Sequence, residues 1–196
     1  TLGETYVMVA EGIISESGYD PATPFDLSLY PQARLASNLP SKTDMLIHHG
    51  STDAPVVDFY ETGVGLGLLV DDLEYAEFSN YLELQLVDYI LEVRDQTGTT
   101  KIAAYKASLE TLGMQSKAVT VVASGFLDPV NNSNGPEFSL WMATAEGGNL
   151  IELPVYDPKS RVQLIHNSAD AALEVVDIWL NNELILDNFT FRTASP

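Results

Sequence analysis

Tyr81-Leu82-Glu83-Leu84-Gln85-Leu86 sets three leucines on one face and Glu83 and Gln85 on the other. A period of two is the signature of a half-buried antiparallel strand. The same period runs outward in both directions. Tyr89-Ile90-Leu91-Glu92-Val93-Arg94, Lys117–Ala123 and Phe138–Met142 read as strands, as do Met45–His48, Val56–Tyr60 and Lys101–Leu109. Turn-forming residues separate them: Asp95-Gln96-Thr97-Gly98, Asn131 to Pro136, and Gly63 with Gly65. Short strands punctuated in this way predict an all-β sandwich or barrel. Lys106–Gly113 carries a competing helical pattern with a glycine stop, but Ile102, Ala104 and Lys106 continue the strand alternation.

The chain also repeats itself. His49-Gly50-Ser51-Thr52-Asp53-Ala54 returns as His166-Asn167-Ser168-Ala169-Asp170-Ala171, 117 residues on. Val57-Asp58-Phe59-Tyr60 returns as Val176-Asp177-Ile178-Trp179, 119 residues on, and Leu69–Leu73 as Ile185–Phe189. Val7–Gly12 matches Thr120–Gly125 at an offset of 113, and Ser28-Leu29-Tyr30 matches Ser139-Leu140-Trp141 at 111. Self-similarity of this kind marks a tandem-repeat architecture with a unit of about 115 residues. Residues 1–36 are then the C-terminal part of one repeat, 44–154 a complete repeat, and 160–196 the N-terminal part of a further one. Placed together, the two partial units lack counterparts of about residues 81–113, from near Pro196 to near Leu2. Leu35–Thr43 and Pro154–Ser160, which carry proline and serine, read as boundaries.

Composition limits the partners. Nine Lys and Arg stand against 28 Asp and Glu among 196 residues, a formal net charge of −19. Such a chain lacks the basic footprint that nucleic-acid binding requires, and it is repelled by anionic membrane surfaces. No apolar run is long enough to span a bilayer, so direct membrane insertion is not expected. The 45% hydrophobic content supplies a real core, against global disorder. The absence of Cys excludes disulfide scaffolds, thiolate metal sites and thiol catalysis. Thr1-Leu2-Gly3-Glu4 has neither a basic nor an apolar leader pattern and there is no initiator Met, so the sequence reads as a processed or trimmed part of something longer. Acidity of this degree fits a secreted protein or a saline milieu.

At its repeated motifs the sequence resembles the domain of unknown function 4397 family. The resemblance lies in Ile47-His48-His49-Gly50-Ser51-Thr52-Asp53-Ala54-Pro55-Val56-Val57-Asp58-Phe59-Tyr60, in Phe78–Tyr81 followed by Asp88–Val93, and in Val121–Leu127. It covers 44–142 and both partial units. It implies immunoglobulin-like antiparallel β-sandwich repeats in secreted or surface-attached proteins, and it implies no catalytic residues.

Each motif has a chemical and an architectural meaning. His49 and His166, each followed four residues on by Asp53 or Asp170, could ligate a metal, but one histidine per repeat is a poor ligand set. The architectural expectation is an imidazole–carboxylate hydrogen bond within a tight turn. Asp58 and Asp177, set in apolar strands, are expected to satisfy backbone donors in a neighbouring loop, because an unpaired buried charge is costly. Asp128, Asn132 and Asn134 offer hard oxygens of the kind calcium prefers, but without the EF-hand spacing. Gly63, Gly65 and Gly67 lack the lysine and following helix of a phosphate loop and read as a hairpin connection. Tyr30, Tyr60, Trp141 and Trp179 are expected as core anchors, with an exposed glycan-binding face as the alternative. No cofactor and no catalytic set is indicated. The sequence thus points to a non-catalytic extracellular or cell-surface repeat protein with a structural or adhesive role. Its strand edges would pair with neighbouring repeats, or with further copies in a fibre. The alternative is a glycan- or calcium-dependent binding module.

Overall fold

The computed structural model describes residues 3–159 and 161–195; Thr1, Leu2, Ser160 and Pro196, which include the outer ends of the two partial repeats, lie outside the described residues. The chain divides into two compact units, 1–157 and 158–196. Among the described residues no helix is long and apolar enough to cross a membrane.

The first unit opens with a hairpin of β1 (Tyr6–Glu11) and β2 (Asp26–Pro31). Nine strands follow: β3 (Lys42–His49), β4 (Val57–Glu61), β5 (Gly67–Leu73), β6 (Leu82–Gln85), β7 (Asp88–Asp95), β8 (Lys101–Ser108), β9 (Ala118–Ser124), β10 (Ser139–Thr144) and β11 (Ile151–Glu152). They form a five-stranded sheet in the order β11-β10-β9-β3-β6 and a four-stranded sheet in the order β5-β4-β7-β8. All pairings are antiparallel except β3 with β9, which run parallel with Ile47 beside Val121. The two sheets close over one core. Met45, Ile47, Val121, Leu140 and Met142 come from the first, and Val57, Phe59, Leu91, Val93 and Tyr105 from the second. The result is an all-β sandwich of the immunoglobulin-like class. Burial follows the alternation that the sequence carries: Leu84 is buried while Glu83 and Gln85 are exposed.

The competing helix does not form. Lys101–Ser108 is strand throughout, and Leu109–Gly113 closes as hydrogen-bonded turns that end at Gly113 with φ +67°. Leu109 and Met114 insert into the core from this turn, an anchorage that fixes its path. Both boundary segments contact the sandwich, the second through Pro154 and Tyr156. Asp44 on β3 accepts from Ser37 Oγ and from the Asn38 N–H, and pairs with Arg34 at 2.7 Å, which ties Arg34–Asn38 to the sandwich. Beyond Glu152, Pro154 O accepts from Lys106 N–H and Ala104 O accepts from Tyr156 N–H, so this segment lines the edge of β8.

β3 is buried along both faces, and the reason is the hairpin. Met45 and Ile47 face the core, whereas Leu46 and His48 point the other way and are still fully covered. Glu11 of β1 reaches His48, and Tyr30 of β2 packs on Phe78 and edge-on to Tyr81. The hairpin is therefore a third layer, laid on the outer face of the five-stranded sheet.

The second unit holds a 3₁₀ turn, Ala171–Leu173, and a hairpin of β12 (Val175–Leu180) and β13 (Glu183–Thr190). It reproduces β4–β5 residue for residue. Register shifts fall between Val57 and Phe59 and between Phe59 and Tyr60 in one, and between Val176 and Ile178 and between Ile178 and Trp179 in the other. The first hairpin reproduces β9–β10 as closely. Val9 faces Ser28 as Val122 faces Trp141, and the bridge between Ile13 and Pro24 returns between Phe126 and Glu137. A constant offset of 113 relates both strands, so Ser28 corresponds to Trp141, and the sequence match of Ser28 with Ser139 is displaced by two residues. Gly12 and Gly125 explain the shared bend. Each has φ near +90°, and a Cβ there would collide with the carbonyl oxygen of Pro24 or Glu137.

Candidate functional site

β3 ends at His49, whose side chain is fully buried. Its Nε2–H donates to Pro55 O at 2.9 Å, and its Nδ1 accepts from Ser51 N–H at 3.4 Å. Pro55 O can only accept, so the imidazole is the neutral Nε2–H tautomer. Burial holds its pKa below the usual histidine range, against the Pro55 hydrogen bond, which raises it. His166 repeats the arrangement, with Nε2–H donating to Leu173 O at 2.7 Å and Nδ1 accepting from Ser168 N–H at 3.3 Å. Each ring brackets the turn that follows it, with both nitrogens engaged.

The expected imidazole–carboxylate bond is not the contact that forms. Asp53 accepts from Leu127 N–H and Asp128 N–H, at 3.0 and 2.8 Å, and from Asn132 Nδ2 at 3.2 Å. It ties the turn to the β9–β10 loop rather than to His49. Asp170 instead caps the 3₁₀ turn, accepting from Ala172 N–H at 2.9 Å. Asp53 thus meets donors of a loop distant in sequence, and Asp170 a main-chain donor of its own turn, while each imidazole is engaged elsewhere.

Asp58, 2% exposed, accepts from Asp72 N–H at 2.8 Å, and Asp177 accepts from Asn188 N–H at 2.9 Å. Asp72 and Asn188 both have positive φ, at +48° and +53°. Each carboxylate thus pins a bulge whose N–H the sheet ladder leaves free. Carboxylate oxygens of Asp58, Asp71 and Asp72 lie within 4.8 Å of one another, the one grouping among the described residues that could hold a cation. The corresponding positions of the second unit are Asp177, Asp187 and Asn188.

In the loop between β9 and β10, Asn132 is fully buried. Its Oδ1 accepts from Asp20 N–H at 3.1 Å, and its Nδ2 donates to Asp128 O at 2.9 Å as well as to Asp53. Asp128 accepts from Asn131 through both its oxygens. The amide of Asn132 therefore joins this loop to the tip of the first hairpin, and Ser133 Oγ adds a hydrogen bond to Gly18 O. Asn134 sits at φ +52°, exposed.

Two anchoring residues escape sequence reasoning. Glu61, 1% exposed, is the last residue of β4, before the Gly63-Val64-Gly65-Leu66 connection to β5. Burial would raise its pKa, but hydrogen bonds from the N–H groups of Leu66, Val64, Ile90 and Gly63 outweigh it and hold the carboxyl below its ordinary value. A glutamate next to a glycine-rich connection was the available signal. Glu11 is the other. It takes Nε2 of His48 at 2.8 Å and a short hydrogen bond from Ser28 Oγ. It has no counterpart in the repeat pattern, since Ser124 and Ile165 stand where Glu11 and His48 would recur. His48 Nδ1, Thr52 Oγ1 and Tyr75 Oη are buried nearby with no partner among the described residues. Burial and the charges of Glu11 and Asp26 push the Tyr75 phenol up to about 12.

The four aromatics expected in the core are not there. Tyr30, Tyr60 and Trp141 are half-buried, and Trp179 is 61% exposed. Alternation gives the core to their neighbours, Phe59, Leu140 and Met142. Tyr60 lies beneath the Arg94 guanidinium at 4.2 Å.

A cleft of about 680 Å³ separates the first hairpin from the outer face of β9 and β10, lined by Val7, Val9, Glu11, Thr52, Thr120 and Phe126 among others. Its size suits a small ligand, roughly 300–1,000 Å³, but its lining is mainly small and apolar, and Glu11 is already engaged by Ser28 and His48.

The fold and these contacts define an all-β protein with an immunoglobulin-like β-sandwich. No family model, curated protein or solved structure matches the chain.

Proposed function

We propose that this chain is a non-catalytic structural or adhesive component of an extracellular or cell-surface array of tandem sandwich modules, as its resemblance to the domain of unknown function 4397 family implies. The observation that carries this reading is the use made of the repeated polar residues. In both repeats, histidine closes a turn with its two nitrogens and aspartate pins a bulge. Residues engaged in this way hold strands in register and are not free to react. The acidic surface supports the same reading, since it keeps extended arrays soluble and apart from other anions.

Protease treatment of intact source cells, followed by immunodetection, tests the location. The protein is expected to be cleaved without lysis; protection until lysis would end the surface assignment. A second reading, a glycan- or calcium-dependent module, draws on exposed Trp179 and on the Asp58–Asp71–Asp72 grouping. Calorimetry with calcium and with a glycan panel separates the two. Saturable heat favours the binding module, and no heat removes it.

A further inference from the structure

The first hairpin has two unlike faces. Val7, Val9, Glu11, Ser28 and Tyr30 turn toward the sandwich and are buried or half-buried. On the opposite face, Met8, Leu27 and Leu29 are 62%, 52% and 51% exposed. The 113-residue correspondence identifies these with Val121, Leu140 and Met142, each 0% exposed in the core of the complete module. An apolar face that is core in one repeat is open to solvent in the other.

The edge tells the same story. β9 is paired on both sides, by β10 and, in parallel, by β3. β1, its counterpart, is paired only by β2 among the described residues. The counterpart of β3 is Arg161–His166, because the bridge between His48 and Phe78 recurs between Ile165 and Ala194. That segment carries no strand ladder, and Val162 and Ile165 are 70% and 69% exposed. The chain thus bears both halves of an interface that it already forms once, between β3 and β9.

Building on the array reading above, we infer that this chain associates head to tail with a second copy: Arg161–His166 of one molecule adds in parallel to β1 of the next, covering the Met8–Leu27–Leu29 face with the β12–β13 hairpin. The register follows from the complete module. Ile47 beside Val121 becomes Leu164 beside Met8, and His49 beside Ala123 becomes His166 beside Ala10. The contact is heterologous and propagates into open chains. The joined module carries counterparts of β3, β4, β5, β9 and β10 but not of β6, β7 and β8, so the association is weak and reversible. Both partners are acidic, so salt strengthens it.

The chain has no cysteine, so register can be read by disulfide trapping. Met8→Cys and Leu164→Cys proteins, mixed in equal amounts and oxidised at high salt, are expected to give a disulfide-linked heterodimer that disappears at low protein concentration. The pair Met8→Cys with Gln163→Cys, whose counterpart Leu46 faces away from the core of the complete module, is expected to give at least several-fold less. Leu29→Lys, on the exposed face, is expected to abolish trapping while leaving the circular dichroism of the protein unchanged. Equal trapping in both registers, Met8→Cys homodimers in place of the heterodimer, or strict monomers by sedimentation at high salt would each overturn the inference. None of these results bears on surface location, so the array reading fails or stands separately.

Discussion

At the scale of single residues, the repeated polar side chains act as fasteners for main-chain groups that the sheet cannot pair. Asp58 is the clearest case, since its carboxylate supplies the acceptor for the Asp72 N–H at a bulge. Asp58→Ala leaves that donor unmet in a largely buried setting, and a loss of about 1–3 kcal/mol in urea denaturation is expected. Asp58→Asn, which keeps an acceptor oxygen, should recover part of it. His49 adds a pH dependence. Its folded pKa is lowered, so the neutral ring is favoured in the fold. Its stabilisation is full above about 6.5, the unfolded value, and is lost as pH falls through the folded value, because the unfolded chain takes up the proton first. Glu61, also lowered, acts in the same direction further down: its contribution is present above about 4.5 and lost as pH falls through its own folded value. Melting temperature should therefore decline in two limbs on acidification. His49→Gln should remove the upper limb and leave the lower one; retention of both would contradict this assignment.

At the scale of elements, the first hairpin is held to the sandwich by a few polar ties and a small apolar contact. Glu11 with His48, Asn132 with Asp20 and Ser133 with Gly18 are among those ties, with Arg34 to Asp44 just beyond β2. A layer secured in this manner opens locally at lower free energy than the core strands. Glu11→Ala leaves His48 buried without its partner, and amide exchange in β1 and β2 is expected to quicken by at least tenfold while β7 and β8 keep their protection. Uniform acceleration across the module would show that the hairpin is integral to the core instead. Of the β-elements, the alternating strands were legible in sequence because one face of each is wet. β3 was legible as a strand, but the cover over its second face was not, since a third layer leaves no mark on local periodicity.

At the scale of the whole molecule, two global properties matter: one dense core and a large surplus of negative charge. Phe59, fully buried between the sheets, is the largest apolar side chain that β4 contributes. Phe59→Ala is expected to cost about 3–5 kcal/mol, read as a lower urea midpoint. The net charge of −19 works against compaction by self-repulsion. Added sodium chloride should raise the melting temperature, most steeply at low ionic strength, where screening changes fastest. A salt-independent melting temperature would show that the acidic groups are too well dispersed to repel one another.

The sequence by itself determined the all-β class and the strands of the central module from β3 and β4 through β6 to β10, because alternation is local and needs no partner to be read; it left β1, β2, β5, β11, β12 and β13 uncalled, and it offered the repeat as an expectation. It also marked His49, Asp53, Asp58 and their counterparts as motif residues. Tertiary structure alone decided what those residues touch. Whether Asp53 meets an imidazole or the amides of Leu127 and Asp128 depends on a loop more than seventy residues away. Likewise, only the folded pairing fixed the 113-residue register of the hairpins, placed the aromatics outside the core, and showed one apolar face covered and its counterpart bare. Burial is a property of what lies opposite, and that is set by the layering of sheets, not by the order of residues along any one strand.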